Sequence, residues 1–358
     1  MTEECEIFTE GKEVVKYLIS PHKKQYKANL HCHSVLSDGR KTPEELKDMY
    51  KAKGYSILAI TDHERPVQHQ NLTEENFLML TGYECYIRPH PQGAYDIYAR
   101  EVHLNLFARD PMNLKLICPN DCYCRYLKRD NVMEEVIRAG SERPREYSKE
   151  YVNEYIRTAR ENGYLVAYNH PRWSMEDEAD ILSYEGYFSF EMCNYNSYVS
   201  NYLEHNGMLY DKMLERKMHV FCHGGDDNHN AWPLDHPNSD SFGAFTMIIP
   251  EEFTYSGVID AMEKGEMYSS MGPVFHEISV EDNKIHIECS DVAHIFMYVG
   301  SKKPKFLHAA EGEVLNGADF EIDPNARYVR VSILDSKGRW ADTRGFFPEE
   351  LEVLSKVQ

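Results

Sequence analysis

Through the first three-quarters of the chain, short apolar runs are each followed at once by a polar residue able to bind a metal or move a proton. The runs at 26–31, 55–61, 77–83, 101–107, 164–169, 188–194 and 219–225 read as buried strands. Helical patterns lie between several of them. Thr42-Pro43-Glu44-Glu45 is a capping box with proline at the first helical position, which predicts a helix to Lys53 stopped at Gly54. A second helix is expected over 148–162, stopped at Gly163, a third over 202–217, and a short one near 132–139. Strands alternating with helices imply a parallel sheet, and the polar residues at the ends of about seven strands meet only if that sheet closes. The expected fold is therefore α/β, a distorted (β/α)7 TIM-like barrel over residues 26–274.

From about residue 275 the texture changes. Strands of alternating polarity at 277–280, 284–288, 294–299 and 328–333 are separated by turns at Asp282-Asn283 and at Asp335-Ser336-Lys337-Gly338. They predict a small all-β, sandwich-like domain over 275–350. Residues 1–25 read as a loosely attached leader or edge element with one apolar patch, and about 86–150 as long insertion or lid loops over the catalytic end.

The 358 residues carry a net charge of −20, which argues against a long nucleic acid as partner because phosphate backbones are held by surplus Lys and Arg. It leaves room for a small phosphorylated molecule, since bound divalent cations reverse the field inside a pocket. No apolar run approaches the roughly 20 residues of a membrane span, and the start lacks a signal-peptide pattern, so the expectation is a cytoplasmic protein without a membrane partner, with homo-oligomerisation left open. Nine scattered cysteines suit reduced thiols. Cys118, Cys122 and Cys124 have the look of a zinc half-site, but with no second half a polar loop is the better reading.

The chemistry concentrates at 29–38, Asn-Leu-His-Cys-His-Ser-Val-Leu-Ser-Asp. His31 and His33 are two apart, so on extended backbone they point the same way and can grip one metal. Thr61-Asp62-His63, Gly82-Tyr83-Glu84, His103, Asn169-His170-Pro171 and Asp227-Asn228-His229 end or follow later runs. In this order the motifs resemble the polymerase and histidinol phosphatase (PHP) domain, a family of metal-dependent phosphoesterases, over roughly residues 26–275. The β-rich tail is similar to that of stand-alone members. The resemblance implies three divalent ions: one held by His31, His33, Glu84 and Asp227, a second bridged by Glu84 and held by His103 and His170, and a third at Asp38, His63 and His229. Asp38 stands where some relatives have histidine; a carboxylate tilts the site towards Mn or Fe, and imidazole suits Zn equally. Two to three ions of Zn, Mn or Fe are thus expected, because mixed N/O donor sets suit these better than Mg or Ca.

The resemblance implies that such ions would make water a nucleophile towards phosphorus, with Glu84, Asp227 and His229 positioning it. Neither a Gly-x-Ser-x-Gly nor a P-loop is present, so no serine nucleophile or nucleotide cradle competes with this reading. Asp62, next to His63, is expected to orient ligands rather than bind metal. Arg172 and, more weakly, Arg65 are the expected phosphate-binding cations; Arg88 and Arg143 in the insertion are further options, and Trp173 could stack a ring. Histidines without motif context, such as His90, His205, His223 and His286, are read as structural or surface residues. The sequence points to a phosphatase acting on a small phosphomonoester, a nucleotide or phosphorylated metabolite. A phosphodiesterase or oligonucleotide nuclease, an amidohydrolase-like metal hydrolase, and a non-catalytic binding module are the alternatives.

Overall fold

The structure is a computed structural model that describes residues 7–10, 13–89, 96–201 and 204–351, with side chains from residue 15 onward. His90 and the first residues of the helix expected over 202–217 lie outside these. Strands β1 (Ile7–Glu10) and β2 (Glu13–Ile19) form a hairpin, followed by β3 (Tyr26–Asn29) and helix α1 (Pro43–Ala52). The capping box forms as the sequence dictates. The Thr42 side chain accepts from Glu45 N and the Glu45 carboxylate accepts from Thr42 N, which fixes where the chain turns from the site into the helix. Leu46 and Tyr50 face inward against β4 (Ile57–Ile60).

Next come β5 (Leu78–Ile87) and β6 (Val102–Ala108), every residue of both buried. The insertion holds β7 (Lys115–Ile117), α2 (Arg125–Arg129) and β8 (Ile137–Ala139). The helix expected near 132–139 is therefore not there: a single 3-10 turn at Met133–Glu135 leads into β8, and the helix lies earlier, at α2. Helix α3 (Lys149–Glu161) starts at Ser148, whose side chain accepts from Tyr151 N, and buries Val152, Tyr155, Ile156 and Ala159. After it run β9 (Tyr164–Tyr168), α4 (Glu178–Ile181), β10 (Ser189–Asn194), α5 (Tyr195–Asn201), α6 (Gly207–Glu215) and β11 (Phe221–Gly225).

β3, β4 and β5 are parallel, as are β9, β10 and β11, but β6 lies antiparallel between β5 and β9. The all-parallel sheet expected from the alternation is thus corrected at one strand. No helix separates β5 from β6 among the described residues, so the chain returns directly along the neighbouring edge. The reversal has a functional effect. The start of an antiparallel strand lies at the same end as the carboxyl ends of the parallel strands, which brings His103 to the site.

Strands β12 (Phe245–Ile248) and β13 (Met267–Ser270) flank helix α7 (Tyr255–Lys264). The remaining chain is β14 (Phe275–Glu281), β15 (Lys284–Val292), β16 (His294–Tyr298), β17 (Lys305–His308), β18 (Leu315–Glu321), β19 (Arg330–Leu334), β20 (Trp340–Thr343) and α8 (Pro348–Leu351). The closed barrel expected from sequence does not form. The main sheet is an open 13-stranded one running β11-β10-β9-β6-β5-β4-β3-β12-β13-β20-β19-β16-β17. β12 occupies the edge of β3 that a closing strand would need. The sheet still curls until β11 meets this seam. Thr246 Oγ1 lies 3.1 Å from Gly224 N and 2.8 Å from Gly224 O, and a Cβ at Gly224 would strike Phe245 O at 2.9 Å. At the other end of the seam two backbone bonds join it, Asp227 N to His31 O at 2.8 Å and His33 N to Asn228 O at 3.0 Å.

The β-rich tail divides between two sheets. β16, β17, β19 and β20 extend the main sheet, while β14, β15 and β18 form a five-stranded sheet with β1 and β2. A single apolar core lies between them, including Ile19, Tyr268, Phe275, Ile287, Ile295, Val331 and Ile333.

Candidate metal centre

The loop after β3 carries His31, His33 and Asp38 into the curled end of the main sheet. Asp62 organises this loop. Its carboxylate accepts from Ser34 N at 2.8 Å, Ser34 Oγ at 2.6 Å and Ser37 Oγ at 2.5 Å, and Ser37 Oγ lies 3.4 Å from His33 Nδ1. Asp62 is outside the groups of candidate metal-binding donors.

Glu84 sits in the middle of β5 with histidines on every side. Its Oε1 lies 3.0 Å from His103 Nδ1, 3.2 Å from His170 Nε2 and 3.3 Å from His31 Nε2; its Oε2 lies 3.1 Å from His63 Nδ1 and 3.4 Å from His33 Nε2. Asp227 Oδ1 is 3.0 Å from His33 Nε2 and 3.3 Å from His31 Nε2. Asp38 faces His33, His63 and His229 at 3.5 to 3.7 Å. All nine sequence-predicted ligands thus meet in one place. Their donor atoms fall into four overlapping groups in which every pair lies within 4.8 Å: His33, Asp38, His63 and His229; His31, Glu84 and His170; His31, His33 and Asp227; His63, Glu84 and His103. The grouping differs from the expected partition in placing His33 with the Asp38 set and His63 with the Glu84–His103 set.

The electrostatics follow from so many groups in so little water. Burial alone would lower the pKa of His31, but Asp227, Glu84 and Glu191 outweigh it and hold the ring well above the usual imidazole range. The same contest lifts His33 to about 10 and His103 to about 9. Burial would raise Glu84 and Asp227, and the surrounding imidazoles instead hold both well below the usual carboxylate range. Four buried ring nitrogens, His31 Nε2, His33 Nε2, His63 Nδ1 and His103 Nε2, together with Asp38 Oδ1, make no aligned hydrogen bond although oppositely charged groups crowd around them. Imidazole nitrogens and carboxylate oxygens gathered in this way fit divalent metal ions well.

Several residues with no expected ligand role hold this set in place. Glu191 Oε1 lies 3.0 Å from His31 Nδ1, and Glu191 Oε2 accepts from His170 N at 2.9 Å and Asn194 Nδ2 at 3.1 Å. Gly225 lets β11 pass, since a Cβ there would come within 2.7 Å of His31 Cβ. Asn169 donates to Glu84 Oε1 at 2.9 Å. Asp226 accepts from Tyr50 OH and from the backbone of Phe242, Gly243 and Ala244 at 2.7–2.9 Å, anchoring a turn in which Asp227 adopts φ +53°. A left-handed non-glycine residue carries strain of about 1–3 kcal/mol, which such over-determined surroundings can sustain. An acidic residue inside the buried run Phe188-Ser189-Phe190-Glu191 was the one sequence signal for this layer, because a buried carboxylate demands a partner.

The site opens into a cavity of about 820 Å³ lined by Asp38, His63, Glu84, His103, His170, Asp227 and His229 on its floor and by Arg40, Arg88, Arg125, Trp173 and Trp232 above. Arg65 and Arg172, the first choices for binding phosphate, are not among its lining residues, whereas Arg88 is. Arg65 is tied to Asp130 and to Leu36 O, and Arg172 is exposed, with its backbone N–H bonded to Glu204 at 3.0 Å. Arg143 pairs with Glu146 and Glu154 in the insertion. Trp173 does line the cavity, edge-on to His103 and His170 at 5.3 and 5.0 Å between ring centres.

In sequence, the PHP domain family matches residues 29–159. The match to a PHP domain is confined to this stretch. The matched stretch holds His31, His33, Asp38, His63, Glu84 and His103, and the structure adds His170, Asp227 and His229 from beyond it. No curated protein matches the chain in sequence. Among solved structures, it is similar to a two-domain protein from Bacteroides vulgatus containing a predicted PHP-like metal-dependent phosphoesterase, at 13% identity and TM-score 0.45, over 93% of this chain and 89% of the other. A protein from Bifidobacterium adolescentis, assigned by inference as a metal-dependent phosphoesterase, matches at 18% identity and TM-score 0.35, over 58% of this chain and 90% of its own. An amidohydrolase from Chromobacterium violaceum with bound sulfate and no metal matches at 17% and 0.32, over 56% and 87%. At such low scores these likenesses add no weight to the family match. No helix among the described residues is long and apolar enough to cross a membrane.

Proposed function

We propose that this PHP-domain chain is a metal-dependent hydrolase that releases phosphate from a small phosphomonoester. The observation that supports it is the meeting of nine imidazole and carboxylate side chains around a central Glu84, with buried ring nitrogens that make no aligned hydrogen bond. His31, His33, His63, His103, His170 and His229, with Asp38, Glu84 and Asp227, would hold two to three ions of Zn, Mn or Fe. When bound, such ions polarise phosphoryl oxygens and make water a nucleophile near neutral pH. The protein's part is placement. Glu191 fixes His31 so that only Nε2 faces inward, Asp62 sets the loop of His33 and Asp38, and Asn169 steadies Glu84. Glu84, Asp227 and His229 line the cavity and would position the incoming water.

The cavity is large enough for a phosphate with an attached metabolite-sized group, and the overall charge of −20 counts against a long polynucleotide. The test pairs elemental analysis of protein purified without chelator with phosphate release from a panel of monoesters in added Mn, for wild type and His33→Ala. Bound metal and hydrolysis, both lost in the variant, are the expected result. Full hydrolytic activity in His33→Ala would sink the reading. Bound metal with no phosphate released would turn attention to diesters and amides.

A further inference from the structure

The floor of the cavity accounts for one phosphate, and the arginines above it call for a second charge. Three carboxylates, Asp38, Glu84 and Asp227, set against two or three divalent ions leave a net positive floor, enough to meet a phosphoryl group. Two more carboxylates stand nearby, and both are engaged. Asp240 accepts from the backbone N–H of His229 and Asn230, and Glu101 is paired with Arg88. Arg40 is different. Its backbone N–H bonds His229 O at 3.0 Å, which sets it beside the Asp38–His229 end of the floor, and among the described residues its exposed guanidinium has no carboxylate partner. Arg125, delivered by α2 of the insertion, lies on the same side, 3.5 Å from Asp38 Oδ2 and against the ring of Tyr126. Once Asp38 serves a metal, Arg125 too is left without its counter-charge. Two under-neutralised guanidinia over one end of a floor already made positive by its ions need an anion to match them.

We propose that Arg40 and Arg125 form a second anion subsite, so that the substrate is a phosphomonoester bearing a further acidic group, carboxylate or phosphate, beyond the one that is hydrolysed. This rests on the phosphoesterase reading above. The insertion then sets specificity. Arg129, four residues on, donates to Val35, Leu36 and Ser37 carbonyls at 2.9–3.1 Å, clasping α2 onto the loop that carries Asp38, so Arg125 is held in register with the metal ligands.

The experiment uses two compounds that cannot be hydrolysed, butylphosphonate and 4-phosphonobutyrate, titrated calorimetrically into Mn-loaded full-length protein. They share a phosphoryl group and differ by one carboxylate. Wild type is expected to bind the second at least about tenfold more tightly. Arg40→Gln should remove most of that preference while leaving butylphosphonate affinity and Mn content unchanged. Equal affinity of wild type for the two compounds overturns the subsite and leaves the phosphoesterase reading standing. An equal loss for both compounds in Arg40→Gln also overturns it, because Arg40 would then serve the scissile phosphate. Binding of neither compound by wild type sinks the phosphoesterase reading and the subsite with it.

Discussion

His31 turns its Nδ1 onto Glu191 Oε1 at 3.0 Å, and both side chains are wholly buried. The contact fixes which ring nitrogen is presented to the site, leaving Nε2 3.3 Å from both Glu84 and Asp227. Supporting contacts of this kind are worth about 10–100-fold in metal affinity. Glu191→Gln is therefore expected to weaken Mn or Zn binding by that factor in a calorimetric titration, with circular dichroism unchanged. Undiminished affinity would show that the ring is held by its packing alone.

A second buried pair secures the insertion. Arg145 donates to Glu64 at 2.5 and 2.7 Å and to Tyr86 O at 2.7 Å, with both side chains almost fully out of water. Glu64 follows His63 directly and has a left-handed backbone, φ +52°. Removing one partner of such a pair strands a charge and costs about 3–5 kcal/mol. Arg145→Met should lower unfolding stability in urea by that amount, and the double variant Arg145→Met, Glu64→Gln should recover most of it.

Stability should also vary with pH through Glu176. Burial pushes its pKa up to about 7, although the hydroxyls of Tyr168, Tyr184 and Tyr147 donate to it and draw it down. In the unfolded chain the group titrates near 4.5, so between these values the native state holds a proton that unfolding releases. Its contribution is full below about 4.5 and is lost as pH rises through 7. Glu176→Gln should flatten the fall in the urea midpoint between pH 5 and 7.5; an unchanged slope would assign the dependence to other groups.

These sites differ in how far the chain reveals them. α1 could be read because its capping box is local, and the nine ligands because they lie in or after six of the apolar runs. The antiparallel course of β6 could not, since residues 88–101 carry no short hairpin signature. Arg40 and Arg125 were missed because an exposed arginine in a loop or short helix looks like any solvated charge, and only the curl of the sheet places them over the site. Alternation in the tail identified strands such as β15, yet a period of two says nothing about which of two sheets a strand joins.

Ending the chain after Pro273 would test that joining. Ile19, Ile249 and Tyr268 pack into the core shared with the tail strands, and β13 pairs with β20. The truncated protein is expected to be poorly soluble. A soluble, fully active product would mean that the metal-binding portion completes its own core.

β2 lies against β14, with Ile19 opposite Ile278. Their partnership spans some 259 residues of sequence. At roughly 5–20 residues per second of synthesis, the early strand waits on the order of 13–50 s for its mate to be made. During that interval its edge is open to any strand nearby, so the hazard of mispairing falls before the sheet that covers it exists.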